Sequence, residues 1–184
     1  MVKNLLKACF MMAALTAAGQ AAAETYTVGS GGTYRPFEFE NSQKQLEGFD
    51  IDIIKAIAKA EGFDVKLVNT PWEGIFATLN TGDRDIIISG ITITDKRKQM
   101  VDFSAPYFPA EQSIVVAQDS QVDSLAALKN EKVGVVNSST GDIVVSEVLG
   151  KNSTAIKRFD NTPLMLQELF EDGVSAAVGD VAVV

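Results

Sequence analysis

Three loops of this chain carry the groups best suited to hold a small carboxylate. They are Ser30–Tyr34, Ser89–Arg97 and Asn137–Gly141, and each follows a predicted strand. Because ligands of open parallel sheets bind beyond the carboxyl ends of the strands, we expect the three loops to converge. The guanidinium of Arg97 can pair with a carboxylate through two parallel hydrogen bonds. The third loop opens a predicted helix, whose first N–H groups favour a negative charge.

Each of these features also has a purely structural explanation. Arg97 lies between Lys96 and Lys98, and a run of bases is commonly a solvated surface. Thr94 and Asp95 are placed to cap a short helix. Aromatic side chains near the loops belong more often to a core than to a ligand wall. The third loop lacks the phosphate-binding pattern G-x-x-x-x-G-K-[ST], so nucleotide binding is not expected.

The composition excludes several classes of function. The 184 residues include 16 basic and 24 acidic side chains, and the formal net charge of −8 argues against binding nucleic acid or an anionic membrane surface. The chain has no histidine, which excludes a His-based catalytic triad and His-ligated zinc within it. Its single cysteine excludes internal disulfides and Cys-cluster metal sites. We therefore expect no cofactor and no metal.

Residues 1–23 have the layout of a secretory signal peptide. Lys3 and Lys7 precede a short apolar stretch, which is followed by small residues. The apolar stretch is too short to span a bilayer. Cys9 precedes the apolar stretch instead of following it, which argues against a lipid anchor. We predict cleavage before Glu24 and export of the remaining chain.

The remainder of the chain alternates strands with helices, which predicts an α/β layer architecture. The predicted strands are 26–30, 65–68, 85–89, 113–117, 132–136, 155–159 and 175–178. The predicted helices are 50–61, 72–79, 124–129, 142–149 and 163–171, with another helix beginning at Asp180. The strand at 85–89 is a continuous apolar run, which is typical of a strand buried on both faces of a parallel sheet.

Six motifs, taken in order, resemble those of one family. They are Thr33–Phe39 (TYRPFEF), Gly48–Asp52 (GFDID), Ser89–Arg97 (SGITITDKR), Asp102–Tyr107 (DFSAPY), Lys132–Val135 (KVGV) and Gly179-Asp180. The family is that of the periplasmic amino-acid-binding proteins of ABC importers, the bacterial extracellular solute-binding proteins of family 3. The resemblance implies a two-lobed periplasmic-binding-protein (type II) clamp. Each lobe would be a mostly parallel sheet flanked by helices, with lobe 1 at 24–109 and lobe 2 at 110–184.

The resemblance also implies which residues hold the α-carboxylate of a bound amino acid. Arg97 matches the arginine that pairs with this group in the family. Thr92 and the backbone of Thr140 and Gly141 match the groups that assist it. Removing a zwitterion from water is costly unless both charges are paired, so closure of the two lobes should supply the partners.

Four further positions match the groups that hold the rest of the ligand. The resemblance implies that the Gly90 carbonyl and the Asp180 carboxylate bind the α-ammonium group. It implies that Tyr34 and Trp72 enclose the aliphatic part between their rings.

Two departures from the family pattern bear on the choice of ligand. Gly31 stands where many relatives carry an acid, and Asn137 stands where some carry a base. The missing acid argues against a strongly cationic ligand such as lysine. We therefore expect a polar L-amino acid, with glutamine or glutamate favoured.

A third departure concerns the length of the chain. Relatives continue well beyond the position of Asp180, so the resemblance implies that the C-terminal part of lobe 1 is missing from this sequence. We expect the first lobe to expose apolar side chains as a result. The side chains in question are Ile54, Ile57, Ile86 and Ile88.

Three functions remain open from the sequence. The favoured one is a monomeric, non-enzymatic periplasmic carrier that delivers its amino acid to an inner-membrane ABC permease. The second is an enzyme on the same scaffold, resembling periplasmic cyclohexadienyl or arogenate dehydratases, with Glu73 or Glu111 as its general acid. The third is a truncated remnant that binds no ligand.

Overall fold

The structure, a computed structural model, describes residues 23–184, so the predicted signal peptide lies outside the described residues except for Ala23. The strands are β1 Thr25–Ser30, β2 Thr33–Tyr34, β3 Glu38–Glu40, β4 Leu46–Glu47, β5 Asp64–Asn69, β6 Ile86–Ile87, β7 Gln112–Val116, β8 Val133–Val136, β9 Ile156–Phe159 and β10 Ala176–Asp180. The helices are α1 Phe49–Glu61, α2 Ile75–Asn80, α3 Asp95–Lys98, α4 Thr140–Leu149 and α5 Thr162–Phe170, with a 3₁₀ helix at Leu125–Asn130.

The first sheet is parallel and has the strand order β5-β1-β6. Helix α1 covers it because apolar residues three and four positions apart, Ile51, Ile54 and Ala58, are buried along one side of the helix. Ile54 packs with Val28 of β1 and with Ile88, just after β6. A small antiparallel sheet, β2-β3-β4, lies between β1 and α1 in the chain and contacts α1 through β3 and β4.

The second sheet has the order β7-β10-β8-β9, in which β7 is antiparallel to β10 and the other pairs are parallel. Helices cover both of its faces. Successive side chains of a strand point to opposite faces, so Ala176 and Val178 join the core beneath α4 and the 3₁₀ helix, which includes Val145 and Leu128. Ala177 joins the core on the side of α5.

The α/β architecture predicted from the sequence is confirmed, but the helix predicted at 72–79 begins only at Ile75. Gly74 precedes it in the left-handed region, at φ +80°, which interrupts any earlier helical turn. Trp72 therefore lies in the loop before α2 and not on the helix. The small sheet β2-β3-β4 was not predicted, because its strands are too short to show an alternating pattern.

Two further local predictions were wrong. The strand predicted at 85–89, buried on both faces, is reduced to Ile86–Ile87 and is only half-buried, because β6 is an edge strand. The helix predicted from Asp180 is absent from the described residues: β10 continues through Asp180, and a turn follows.

The expectation of exposed isoleucines in the first lobe is correct only in part. Ile54 and Ile88 are buried between α1 and the first sheet, and Ile86 is half-buried. Ile57 is 45% exposed. Three aromatic side chains around the start of α1 are exposed as well: Phe49, Tyr107 and Phe108.

Within residues 23–184, no helix combines the length and the apolar character needed to cross a membrane.

The core of the second sheet gives a direct test of the packing. Leu128 is fully buried beneath this sheet, whereas Leu125 of the same 3₁₀ helix is 40% exposed. We expect Leu128→Ala to lower the free energy of unfolding by about 2–5 kcal/mol, because it leaves a cavity in a packed core. The matched control Leu125→Ala should change it by about 0.5 kcal/mol. Urea denaturation measures both, and equal effects would contradict the packing described.

Candidate functional site

One cavity of about 340 Å³ is lined by all eight residues that the sequence analysis names as ligand-binding. They are Tyr34, Trp72, Gly90, Thr92, Arg97, Thr140, Gly141 and Asp180. The cavity lies where loops following strands of the two sheets meet, as expected for open parallel sheets. Its volume is in the lower part of the range of small-molecule sites, roughly 300–1,000 Å³.

Arg97 is buried although it stands in a run of bases. It is 6% exposed, whereas Lys96 and Lys98 are exposed. The Thr94 hydroxyl accepts a hydrogen bond from the Arg97 backbone N–H at 3.2 Å, which caps α3 and turns Arg97 inward. The predicted helix cap therefore exists, and it positions Arg97 for the cavity.

The guanidinium of Arg97 meets backbone carbonyls and no carboxylate. Its Nη1 donates to the Thr92 carbonyl at 2.9 Å, and its Nη2 donates to the Ser138 carbonyl at 3.3 Å. Among the described residues, no acidic side chain lies within 4.0 Å of it. Burial lowers the pKa of Arg97, and the charge of Asp180 opposes that shift. A buried cation held by neutral groups is ready to take an anionic partner.

The carboxylate of Asp180, at the end of β10, is the negative counterpart in the same cavity. It accepts hydrogen bonds from the Tyr34 hydroxyl and from Nε2 of Gln112. Nε2 of Gln112 also donates to the Thr140 hydroxyl at 3.1 Å. Burial, followed by the charge of Asp180, raises the pKa of Tyr34, so its hydroxyl remains a donor.

Gln112 was missed by the sequence analysis. It is the first residue of β7, and the antiparallel register of β7 and β10 places it opposite Asp180. The proximity of Gln112 to Asp180 depends on this strand register, which the sequence does not reveal.

Trp72 forms a contact between loops of the two sheets. Its indole N–H donates to the Asn137 carbonyl at 2.9 Å. The Arg97 guanidinium carbon lies 5.1 Å from the Trp72 ring centroid and 5.5 Å from that of Phe76, both within cation–π range. Trp72 therefore forms a cavity wall beside the buried cation.

The loop before α4 is fixed by a partly buried ion pair. Both Asp142 carboxylate oxygens accept from Nε of Arg158 at 3.0 Å, and one of them also accepts from the Ser138 backbone N–H at 3.0 Å. The Ser139 hydroxyl caps α4 by accepting from the Asp142 N–H at 3.1 Å. Burial alone would raise the pKa of Asp142, but the hydrogen bonds from Arg158, Ser138 and Ser146 lower it overall.

Two glycines of the site are required by close approach. A Cβ at Gly141 would lie 2.6 Å from the Val178 carbonyl oxygen, so the start of α4 packs directly on β10. A Cβ at Gly90 would lie 2.6 Å from the Tyr34 ring, and Gly90 has φ +53°. Both positions therefore exclude any side chain, and the backbone itself forms the cavity wall there.

The two candidate general acids are not equivalent. Glu73 is exposed and lines the cavity. Glu111 lines a neighbouring groove instead. Across residues 23–184, no group of three or more Cys, Asp or Glu side chains is arranged to hold a metal ion.

Comparison with known proteins places these features in a family. Residues 26–178 match the family of bacterial extracellular solute-binding proteins, family 3. The chain is 44% identical over 162 residues to a probable histidine-binding protein of Neisseria gonorrhoeae, covering 88% of this chain and 60% of that protein. It therefore spans less than two thirds of the length of that relative.

Two crystal structures are also similar. The arginine-, lysine-, histidine-binding protein ArtJ of Geobacillus stearothermophilus superposes with a TM-score of 0.83 at 41% identity, over 87% of this chain and 68% of that one. An ancestral amino acid-binding protein, AncCDT-1, described as a precursor of cyclohexadienyl dehydratase, superposes with a TM-score of 0.79 at 40% identity, over 85% of this chain and 70% of that one. The family match, which extends over most of the chain, shows that this protein belongs to the bacterial extracellular solute-binding proteins, family 3.

Proposed function

We propose that this protein binds a free polar L-amino acid in the periplasm and delivers it to an ABC-type amino-acid importer. The observation that carries the proposal is the buried Arg97, whose guanidinium donates to two backbone carbonyls and, among residues 23–184, to no carboxylate, in the same cavity as the Asp180 carboxylate. An amino acid offers a carboxylate to the first and an ammonium to the second. The zwitterion would then have both charges paired on leaving water.

The two charged residues proposed to bind the ligand, Arg97 and Asp180, belong to different parts of the chain, which supports a clamp. Arg97 lies within the proposed lobe 24–109, and Asp180 within the proposed lobe 110–184. The contacts Arg97–Ser138, Trp72–Asn137 and Tyr34–Asp180 all join the two proposed lobes. A ligand bound between them would bring further contacts to both sides and favour closure.

The charges of the cavity wall bear on the ligand side chain. Glu73 and Asp160 line the cavity in addition to Asp180, whereas Arg97 is its one basic side chain among the described residues. An anionic ligand side chain would face these acids without a second cation. The wall therefore favours glutamine over glutamate, and it also admits a nitrogen-bearing basic side chain. The histidine- and arginine-binding relatives support a ligand with such a basic side chain.

Export and delivery are supported by the predicted signal peptide and by the family, whose members are described as extracellular solute-binding proteins. We propose a monomeric carrier that releases its ligand to an inner-membrane permease.

A dehydratase is the second candidate, supported by the likeness to the precursor of cyclohexadienyl dehydratase and by Glu73 in the cavity. Glu73 would have to protonate a leaving hydroxyl. Mass spectrometry of prephenate or arogenate incubated with the protein tests this directly. Conversion that disappears in Glu73→Gln would establish the enzyme, and unchanged substrate would exclude it.

The first test of the carrier proposal concerns the ligand carboxylate. We expect Arg97→Ala to lower amino-acid affinity by about 2–5 kcal/mol, which is about thirtyfold or more, because it removes the partner of a buried charge. Isothermal titration calorimetry measures the change. The neighbouring Lys96→Ala is the control and should leave the affinity unchanged, since Lys96 is exposed. Equal losses in both variants would show that the wrong base has been assigned.

The second test concerns the ligand side chain. Glutamine and glutamate have nearly the same shape and differ by one charge, so they isolate the effect of the acidic wall. We expect glutamine to bind at least tenfold more tightly than glutamate, and histidine or arginine to bind at least as well as glutamate. Thermal-shift screening against the twenty amino acids, followed by titration of these four, provides the measurement. Tighter binding of glutamate would contradict the electrostatic argument.

A further inference from the structure

Two acidic side chains beside the cavity are buried without a basic partner. Glu38 on β3 is 1% exposed, and Asp50 in the first turn of α1 is 0% exposed. Among the described residues, no lysine or arginine nitrogen lies within 4.0 Å of either carboxyl group. Burying two acids side by side is costly, so the pair calls for a reason beyond packing.

Both acids hold the same segment of backbone. Asp50 accepts a hydrogen bond from the Gly90 N–H at 2.6 Å. Glu38 accepts from the Ser89 hydroxyl at 2.6 Å, and that hydroxyl in turn accepts from the Gly31 N–H at 3.0 Å. Two consecutive residues of the loop after β6 are therefore held by two different carboxyl groups.

This segment leads directly to the cavity wall. The Gly90 backbone lies against the Tyr34 ring so closely that a Cβ would be 2.6 Å from it. Tyr34 donates its hydroxyl hydrogen to Asp180, the proposed ammonium-binding carboxylate. A shift of Gly90 would therefore move both the carbonyl proposed to bind the ammonium and the ring beside it.

On the basis of the proposed function, we propose that Glu38 and Asp50 are positioning residues for amino-acid binding. Sharing one proton, they form a singly charged pair that holds the Ser89–Gly90 backbone against Tyr34. Loss of the shared proton would place two negative charges in the same buried space and release the segment.

The electrostatics of the surroundings agree with one shared proton. Burial, reinforced by the charge of Asp50, raises the pKa of Glu38 to about 9. Burial also raises the pKa of Asp50, against the hydrogen bonds from Gly90 and Tyr107 that lower it. At neutral pH the Glu38 carboxyl is thus protonated, whereas above about pH 9 it is ionised.

The other titratable groups that residues 23–184 place around the pair do not supply a positive charge. Tyr34 of β2 and Tyr107, from the segment before β7, face the two carboxyl groups, and burial raises the pKa of both hydroxyls. The Tyr107 hydroxyl donates to Asp50 at 3.0 Å. On the adjoining elements, Asp52 of α1 and Glu47 of β4 are exposed. The shared proton is therefore what limits the pair to a single negative charge.

The first readout needs no ligand. In ¹⁵N-labelled protein, we expect the Gly90 amide signal to titrate between pH 6 and 10 with a midpoint near pH 9, because its acceptor belongs to the pair. The step should vanish in Glu38→Gln, which keeps the shape of a neutral carboxyl but has no proton to lose. Asp52→Asn, an exposed acid two residues from Asp50, is the matched control and should retain the step. Absence of the step in the wild-type protein overturns the inference, whether or not the variant folds.

The second readout is the affinity, followed by the fluorescence of Trp72, the only tryptophan in the chain. If the doubly ionised form does not bind, the wild-type affinity at pH 10 should fall by about tenfold more than that of Glu38→Gln. The ammonium of the ligand titrates in both proteins, so the difference isolates Glu38. Parallel pH profiles would mean that Glu38 has only a structural role, and would overturn the inference.

The two readouts separate this inference from the proposed function. If the Gly90 amide signal titrates in a wild-type protein that binds none of the amino acids at pH 7, the proposed function is refuted and the shared proton is supported. If the protein binds an amino acid but the Gly90 amide signal does not titrate, the shared proton is refuted and the proposed function is supported.

Discussion

The guanidinium of Arg97 is buried and bonded to two backbone carbonyls, yet no carboxylate of the described residues lies within 4.0 Å of it. This constraint shapes the rest of the site. A cation removed from water requires oriented dipoles, and here they come from Thr92 in its own loop and from Ser138 in the loop before α4. The rings of Trp72 and Phe76 add cation–π contacts. The charge thus remains available for a ligand while its surroundings are already ordered.

The two backbone carbonyls that bind Arg97 come from loops of different sheets. The carboxyl ends of β6 and β8 deliver the loops that carry Arg97 and Ser138, and β10 ends at Asp180. The Asp142–Arg158 pair fixes the loop before α4, as the buried acids Glu38 and Asp50 fix the Ser89–Gly90 segment. On both sides of the cavity, buried side chains hold backbone in place, and the backbone in turn presents its groups to the ligand.

Much of this arrangement could be predicted from the sequence. Arg97 follows a predicted strand, where the topology of α/β sheets places ligands, and the spacing of Ile51, Ile54 and Ala58 fixes α1. Asp180 was expected only from the family resemblance, and it ends strand β10 instead of beginning a helix. Trp72 was assigned to a helix because its apolar spacing fits one, and only the left-handed Gly74 shows why α2 begins later.

The features that could not be predicted from the sequence depend on contacts between segments that are distant in the chain. Gln112 reaches Asp180 only through the register of β7 and β10. Glu38 falls within a short extended stretch, and its burial beside Asp50 depends on the fold of the small sheet and α1. Such residues carry no local pattern that distinguishes them from solvent-exposed acids.

The central claim is that Arg97 and the α-carboxylate of an amino acid form an energetically coupled pair. A double-mutant cycle tests it most directly, with the bound amino acid and its α-carboxamide titrated calorimetrically into the wild-type protein and into Arg97→Ala. We predict a coupling energy of about 1.5 kcal/mol or more, because the carboxamide should bind much more weakly than the acid only when Arg97 is present. Equal preference for the acid in both proteins, with a coupling energy near zero, would contradict the account.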